Sequence, residues 1–374
     1  MRLSLRPWGS SANGDRKVRR LRRAASLAVA AVFPVMIMLP AAGSVASATQ
    51  GRVPATVRPA LSNDPVVCSG PKPTVYMVGS VANSTFWQAI ENGFVQGGQD
   101  FCVHAIYSAP NAHTSTDEIG LLQAALATHP SGIAVNYVDH TIYNITLKIL
   151  AAHVNIVMFN NNRFEPVNGV ASTATTNPAV TSIPYIGQDE DKSGAVLATA
   201  FLPYIPKGKT VLWFPVVPGV EVITLRGDGL ASVLKANHIP MQFLEAPGAP
   251  GNEGLDETQD EAVVCSYLKG HPEIGAVMAT SATAPGTALC EQRDHLHIPI
   301  AEFDVDLQSA DFIKDGYIKV ALDQQPFWQG YLAAEDLAFE ARFKLTPVSV
   351  NSGTEIVTAA NVNNVIYAIN HGKD

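Results

Sequence analysis

The chain has 374 residues, 47% hydrophobic and 16% charged, which supplies apolar material for sizeable cores and length for two domains. Residues 1–48 carry eight Lys/Arg against the single acid Asp15, a net +7, so the whole-chain −8 leaves −15 for residues 49–374. A body this acidic lacks the clustered cations that a phosphate backbone requires, which argues against a nucleic-acid partner.

The basic start runs into "AASLAVAAVFPVMIMLPAAGSVASATQ", uncharged from Ala24 through Gln50. Basic region, apolar region and the small-residue site Ala46-Ser47-Ala48 have the layout of a secretory signal peptide over residues 1–48. A retained membrane anchor is the other reading of so long an apolar stretch; Pro34, Pro40 and the small-residue exit favour cleavage. The pairs Arg19-Arg20 and Arg22-Arg23 leave twin-arginine export open. No cysteine lies near the cleavage site, so no lipid anchor is expected, and the mature chain is expected in the periplasm or outside the cell. An even set of cysteines in an exported protein favours disulfides over metal, and no CxxC or Cys–His cluster at zinc spacing occurs. Of the three possible pairings, nearness in sequence favours Cys68 with Cys102 and Cys265 with Cys290. No metal and no cofactor is expected.

After a polar, Pro-containing leader (49–73), short β-branched runs alternate with helix-length amphipathic segments. "TVYMVGS", "CVHAIYS", "GIAVNYV" and "NIVMFNNN" read as strands. Between them "TFWQAIENGFVQGGQD", "STDEIGLLQAALATHP" and "TIYNITLKILAAH" read as helices. This order predicts a parallel sheet covered on both faces. An irregular stretch, "NGVASTATTNPAVTSIPYIGQDE", leads to a second set with strands "TVLWFPVV", "PMQFLEA", "IGAVMAT" and "IPIAEFD". Its helices are predicted near 190–203, 220–237, 255–270 and 283–296, followed by the helix "FWQGYLAAEDLAFEARFK" and the short strand "GTEIVTA".

Ligands of parallel α/β sheets meet the loops at the carboxyl ends of strands. Here those ends are rich in carboxamides, carboxylates and aromatics: Ser80 to Trp87, Asn136 to Asp139, Asn160 to Asn162, Ser281, Phe303-Asp304 and Gln324-Gln325. Aromatic faces with planar hydrogen-bonding groups suit a small polyhydroxylated ligand. Each residue also has a plainer reading. Asp304 would cap a helix beginning near Leu307, Arg226 would be a solvated helix residue, and the asparagines would shape turns. Phe86 and Trp87, being adjacent on one helix, cannot both face the core. Catalytic patterns are missing: no GxSxG, HExxH, P-loop or GxGxxG is present, and His295 and His297 lack a third ligand.

Several stretches resemble the type I periplasmic sugar-binding proteins of ABC importers, the ribose/galactose-binding group, from about Thr74 to Asp374. "VALDQQPFWQGYLAAEDL" is similar to the family's hinge strand and the helix that follows it. "VGSVANSTFWQAIENGF" resembles its first strand and aromatic-bearing helix, and "YIGQDEDKSGAVLATAFL" an interlobe crossover. "VITLRGDGL" and "AEFDVD" resemble the arginine helix and the aspartate-bearing strand end. The resemblance implies an α/β fold of the type I periplasmic binding protein class, two Rossmann-like lobes with parallel sheets joined by three hinge crossovers. The lobes would be 74–187 plus 325–348 and 188–324 plus 349–374. It implies ligand contacts from Ser84, Phe86, Trp87, Asn136 and Asn160, and from Gln188, Asp189, Arg226, Ser281, Asp304 and Gln324. The chain departs from the family where Asn160-Asn161 replace an acidic, often Asp-Arg pair, and where Ser281-Ala282 replace Asn-Asp.

The expectation is an exported, monomeric solute-binding protein with no chemical step, delivering a small sugar or polyol to an ABC transporter permease. The neutral Asn160-Asn161 pair keeps open a receptor for a non-sugar, autoinducer-like ligand in a signalling system. A secreted α/β enzyme would need a nucleophile the sequence does not display.

Overall fold

The computed structural model describes residues 68, 70–82, 84–111, 114–161, 177–216, 221–245 and 257–374. The expected signal peptide, leader residues 49–67 and Asn162 lie outside the described residues.

The first half alternates β1 (Thr74–Val78), α1 (Thr85–Asp100), β2 (His104–Ser108), α2 (Ser115–Ala127), β3 (Gly132–Val135), α3 (Tyr143–Ala151) and β4 (Asn155–Phe159). The stretch expected to be irregular contains a short helix α4 (Pro178–Thr181) and β5 (Tyr185–Gly187). The second half repeats the scheme with α5 (Glu190–Phe201), β6 (Thr210–Val216), α6 (Glu221–Ala236), β7 (Met241–Glu245), α7 (Glu257–Gly270), β8 (Ile274–Ala279) and α8 (Ala284–Asp294). It ends with β9 (Ile300–Phe303), α9 (Leu307–Lys314), β10 (Ile318–Asp323), α10 (Pro326–Phe343), β11 (Val350–Asn351), β12 (Glu355–Val357) and α11 (Val362–Asn370).

Two six-stranded sheets result, in the orders β11-β5-β4-β3-β1-β2 and β12-β10-β9-β8-β6-β7. All pairings are parallel except that of the edge strand β12, which runs antiparallel to β10. The central strands β3 and β8 are buried along their whole length, which is why they read as unbroken apolar runs rather than as alternation. Helix starts fall where short polar side chains can hold a free backbone N–H: Thr114 before α2, Asn177 before α4 and Asp306 before α9 each accept such a bond.

Each sheet is covered on both faces. In the first lobe Met77, Phe94, Val157 and Phe159 pack under α1 and α10, and Leu122, Ile133, Ile145 and Met158 under α2 and α3. In the second, Trp213, Leu230 and Phe303 pack under α5 and α6, and Leu212, Phe214 and Val264 lie on the opposite face.

The two lobes share a construction rule. A helix entering from the other lobe lies against the helix that follows the lobe's first strand: α10 on α1, and α5 on α6. At both contacts glycines let the backbones approach. A Cβ on Gly93 or Gly330 would collide with the backbone of α10 or α1, and one on Gly194 or Gly229 with the backbone of α6 or α5.

The chain passes between the sheets three times, after Gly187, after Asp323 and after Asn351. The division expected at 348/349 falls before β11, because Val350 and Asn351 still pair with Ile186 and Gly187 of the first sheet. Cys68 bonds Cys102 with Cα atoms 5.0 Å apart, and Cys265 bonds Cys290 at 5.6 Å, which is the favoured pairing. No described helix is long and apolar enough to cross a membrane.

Candidate functional site

The carboxyl ends of the two sheets face each other across a cleft of about 640 Å³. Of the eleven residues expected to bind ligand, eight line it: Ser84, Phe86, Trp87 and Asn160 from the first lobe, Arg226, Ser281 and Asp304 from the second, and Gln324 at the crossover. The strand order explains the gathering. In a 2-1-3-4-5 sheet the crevice opens where helices leave opposite faces, beside the first strand, and both lobes turn that edge inward.

Asn160 and Asp304 are topological counterparts. Each follows the fourth strand of its sheet, each takes the left-handed conformation (φ 58° and 64°), and each donates its backbone N–H to the next strand, to Ile186 O (3.0 Å) and Leu322 O (2.8 Å). Asn and Asp tolerate that conformation better than other side chains with a Cβ. The turn reading and the cleft reading of Asn160 therefore hold together: the backbone selects a short polar residue and the residue lines the cleft. Asp304 does not cap α9; Asp306 does, accepting from Ser309 N at 2.7 Å, because the left-handed turn at Asp304 points its carboxylate to the cleft instead.

Arg226 is no solvated helix residue. It is 4% exposed and donates from Nε to Glu190 Oε2 (2.6 Å) and from Nη1 to the Thr280 carbonyl (2.9 Å). Its Nη1 lies 3.8 Å from Asp304 Oδ2, and its guanidinium carbon 4.4 Å from the centre of the Phe303 ring. Burial alone would lower its pKa, but the charges of Glu190 and Asp304 hold it above the ordinary value. Burial pushes Glu190 up to about 7 against the pull of Arg226, and raises Asp304 against Arg226 and a hydrogen bond from Gln324. The guanidinium is thus shared between two carboxylates. The donors of Arg226 are largely taken up inside the protein, while the two carboxyl groups keep lone pairs that can accept from a neutral hydroxyl.

Phe86 and Trp87 divide as adjacent helix residues must. Trp87 is 7% exposed and packs edge-on to Phe159, with centroids 6.2 Å apart, while Phe86 is half-buried at the rim. Both reach the cleft wall, so apolar ring surface and hydrogen-bonding groups share the lining of one space.

Asn136, Gln188 and Asp189 do not line the cleft. Asn136 is fully buried behind Asn161, accepting from its Nδ2 at 2.8 Å. Gln188 turns back to donate to the Gly353 carbonyl (3.0 Å), tying two crossovers together. Asp189 caps α5 through Lys192 N (3.3 Å) and pairs with the Lys192 ammonium. Asn161, named among the strand ends but not among the expected contacts, also lines the space, as do Glu190, Thr280, Asp323 and Asp374, which were not foreseen. Glu190 and Asn161 each sit one residue beyond an expected contact, a distance strand-end alternation cannot resolve. Asp323 and Asp374 face each other with carboxyls pushed up to about 6 and about 9, both chiefly by burial, with mutual charge adding to the second.

A family model described as the periplasmic binding protein domain matches residues 75–344. The xylose/arabinose-binding protein XylF of Sulfolobus acidocaldarius is 24% identical over 317 residues, covering 78% of this chain and 76% of the relative. Among solved structures, a carbohydrate transporter from Acidothermus cellulolyticus in complex with myo-inositol superposes with a TM-score of 0.67 at 23% identity, covering 81% of this chain and all of that one. GanP, a glucose-galactose binding protein from Geobacillus stearothermophilus, gives 0.67 at 20% identity, covering 78% and 99%. With its two α/β lobes, three crossovers and matching domain model, the chain belongs to the periplasmic binding protein family.

Proposed function

We propose that this protein captures a small neutral sugar or polyol between its lobes and delivers it to the permease of an ABC importer. The observation that carries the reading is the pairing within the cleft. Aromatic surface from Phe86 and Trp87 shares the cleft with Arg226, Asp304 and Gln324, and the guanidinium is already engaged by Glu190 and Asp304. Such a site covers C–H faces and bonds hydroxyls, and it penalises an analogue lacking a hydroxyl because a buried partner is then left unpaired. The named relatives, one for xylose and arabinose and one holding myo-inositol, support the class of solute.

Capture would proceed by lobe closure about the three crossovers, with 74–187, 325–351 and 188–324, 352–374 moving as the two bodies. Export by the amino-terminal signal segment would place a monomer where solute and permease meet. Thermal-shift measurement against D-xylose, L-arabinose, D-glucose, D-galactose and myo-inositol tests the reading. A true solute at a hundredfold excess over Kd stabilises the fold by about 2.7 kcal/mol and raises Tm accordingly. If no sugar or polyol shifts Tm at millimolar concentration, the proposal fails.

A further inference from the structure

Buried side-chain amides run in one direction across the floor of the cleft. Asn161 Nδ2 donates to Asn160 Oδ1 (2.8 Å), Asn160 Nδ2 to Gln329 Oε1 (3.3 Å), Gln329 Nε2 to Gln324 Oε1 (3.5 Å) and Gln324 Nε2 to Asp304 Oδ1 (2.6 Å). Asn160 and Asn161 belong to the first lobe, Gln329 to α10 packed on it, Gln324 to the crossover and Asp304 to the second lobe.

A carboxamide has a donor on one side and an acceptor on the other, whereas a carboxylate only accepts. Asp304 turns Oδ2 to the Arg226 guanidinium at 3.8 Å and leaves Oδ1 to accept from Gln324, two partners of the carboxylate form that act against the rise in pKa caused by burial. Gln324 must therefore turn Nε2 toward it; the opposite orientation would set two acceptor oxygens face to face out of water. With Gln324 fixed, its Oε1 is what Gln329 meets, and each amide is then oriented by the one before it. At the far end both hydrogens of the Asn161 amide are engaged, one with Asn160 Oδ1 and one with Asn136 Oδ1 at 2.8 Å. The Asn161 carbonyl is the part of that cleft-lining side chain left for a solute. Gln329 itself is fully buried and forms no part of the cleft wall.

We propose that Gln329 is a positioning residue that carries the orientation imposed by Asp304 across the hinge to Asn160 and Asn161. The first lobe then offers the solute an acceptor oxygen at Asn161 and selects for a hydroxyl donor at that point. The longest link, Gln329 to Gln324, is the one crossing the hinge, so lobe closure bears on it directly. The consequence for selectivity rests on the solute-capture reading; the amide chain itself does not.

The test is made first without ligand, on the full chain labelled with ¹⁵N, by following the side-chain amide signals of Asn160 and Asn161. Asp304→Asn is expected to shift both signals when Gln329 is present and to leave them unmoved in the Gln329→Met background. Equal shifts in both backgrounds, or none in a protein that keeps its melting temperature, would overturn the proposal. If Asp304→Asn does not fold, Gln324→Met breaks the same chain and is judged by the same outcomes. In a second arm, myo-inositol and its mono-O-methyl ethers are titrated into wild type and Gln329→Met. Loss of discrimination against one ether by tenfold or more is expected, whereas equal weakening of every ligand overturns the role in selectivity. If no sugar or polyol binds wild type, the capture reading and the selectivity role fail together, and the ligand-free signals still decide whether the chain of amides transmits.

Discussion

Replacing glycine by alanine at Gly229 and at Gly120 makes the same chemical change with opposite expected signs. At Gly229 an added Cβ would lie 1.9 Å from the Asp191 carbonyl oxygen, a backbone atom of the facing helix that no rotamer change can move away. Ordinary carbon–oxygen contact needs about 3.3 Å, so α5 and α6 must separate by on the order of 1 Å. Forced overpacking of this kind costs about 1–3 kcal/mol. At Gly120, on an exposed turn of α2, nothing lies within 4 Å of the added carbon. There alanine gains helix propensity of about 1 kcal/mol. A kcal/mol moves Tm by roughly 2–4 °C at this chain size, so the two variants should diverge by about 4–16 °C in melting followed by far-ultraviolet circular dichroism. Gly229→Ala should also weaken solute binding, because Arg226 lies one turn earlier on the displaced helix. A Gly229→Ala protein as stable as wild type would refute the close-packing argument. Lowered stability with full affinity would refute the link to Arg226.

Glu190, Asp323 and Asp374 all hold protons in the fold that the unfolded chain releases at lower pH. Stability should therefore fall as pH rises from about 4.5 through 7; for Glu190 alone the rise to about 7 corresponds to roughly 3 kcal/mol. Melting temperatures at pH 5 and pH 7.5 decide it, and a more stable protein at the higher pH would contradict the sign. Substituting Cys265 and Cys290 together by alanine removes a crosslink spanning 25 residues, with an expected loss of about 3.5 kcal/mol from loop-closure entropy. Urea denaturation measures that loss, and an unchanged midpoint would show that the crosslink contributes nothing to equilibrium stability.

Much of the frame was legible because its central strands are buried on both faces. "GIAV" and "IGAVMA" leave little choice but strand, and helix α1 begins and ends where its periodicity does. Short edge elements were not legible. β5 has three residues after a proline and β11 has two, too few to display any period, and α11 follows them without a capping side chain. The site was readable as a set of strand ends but not residue by residue. Asn136 and Gln188 face inward and Asp189 caps a helix, while Glu190, the residue after Asp189, faces the cleft. A one-residue difference in facing is decided by turn geometry, such as the left-handed turn at Asn160, that composition does not reveal. Gln329 is beyond local pattern altogether, since its partner Asn160 stands 169 residues away.

The glycine contact between α5 and α6 bears on how this protein's cargo can change over descent. Gly194 fits only because it approaches the backbone carbonyl of Arg226, so the cleft's guanidinium is rooted in the same joint that sets the helix spacing. The Arg226 side chain also bonds Glu190 of the facing helix, so a lineage that swapped it would unpair a buried carboxyl in that joint as well as alter the cleft. Asn160 and Asn161 stand on a strand end free of that joint. Drift in solute preference should accumulate on the first lobe, while the second keeps its cation and its shape.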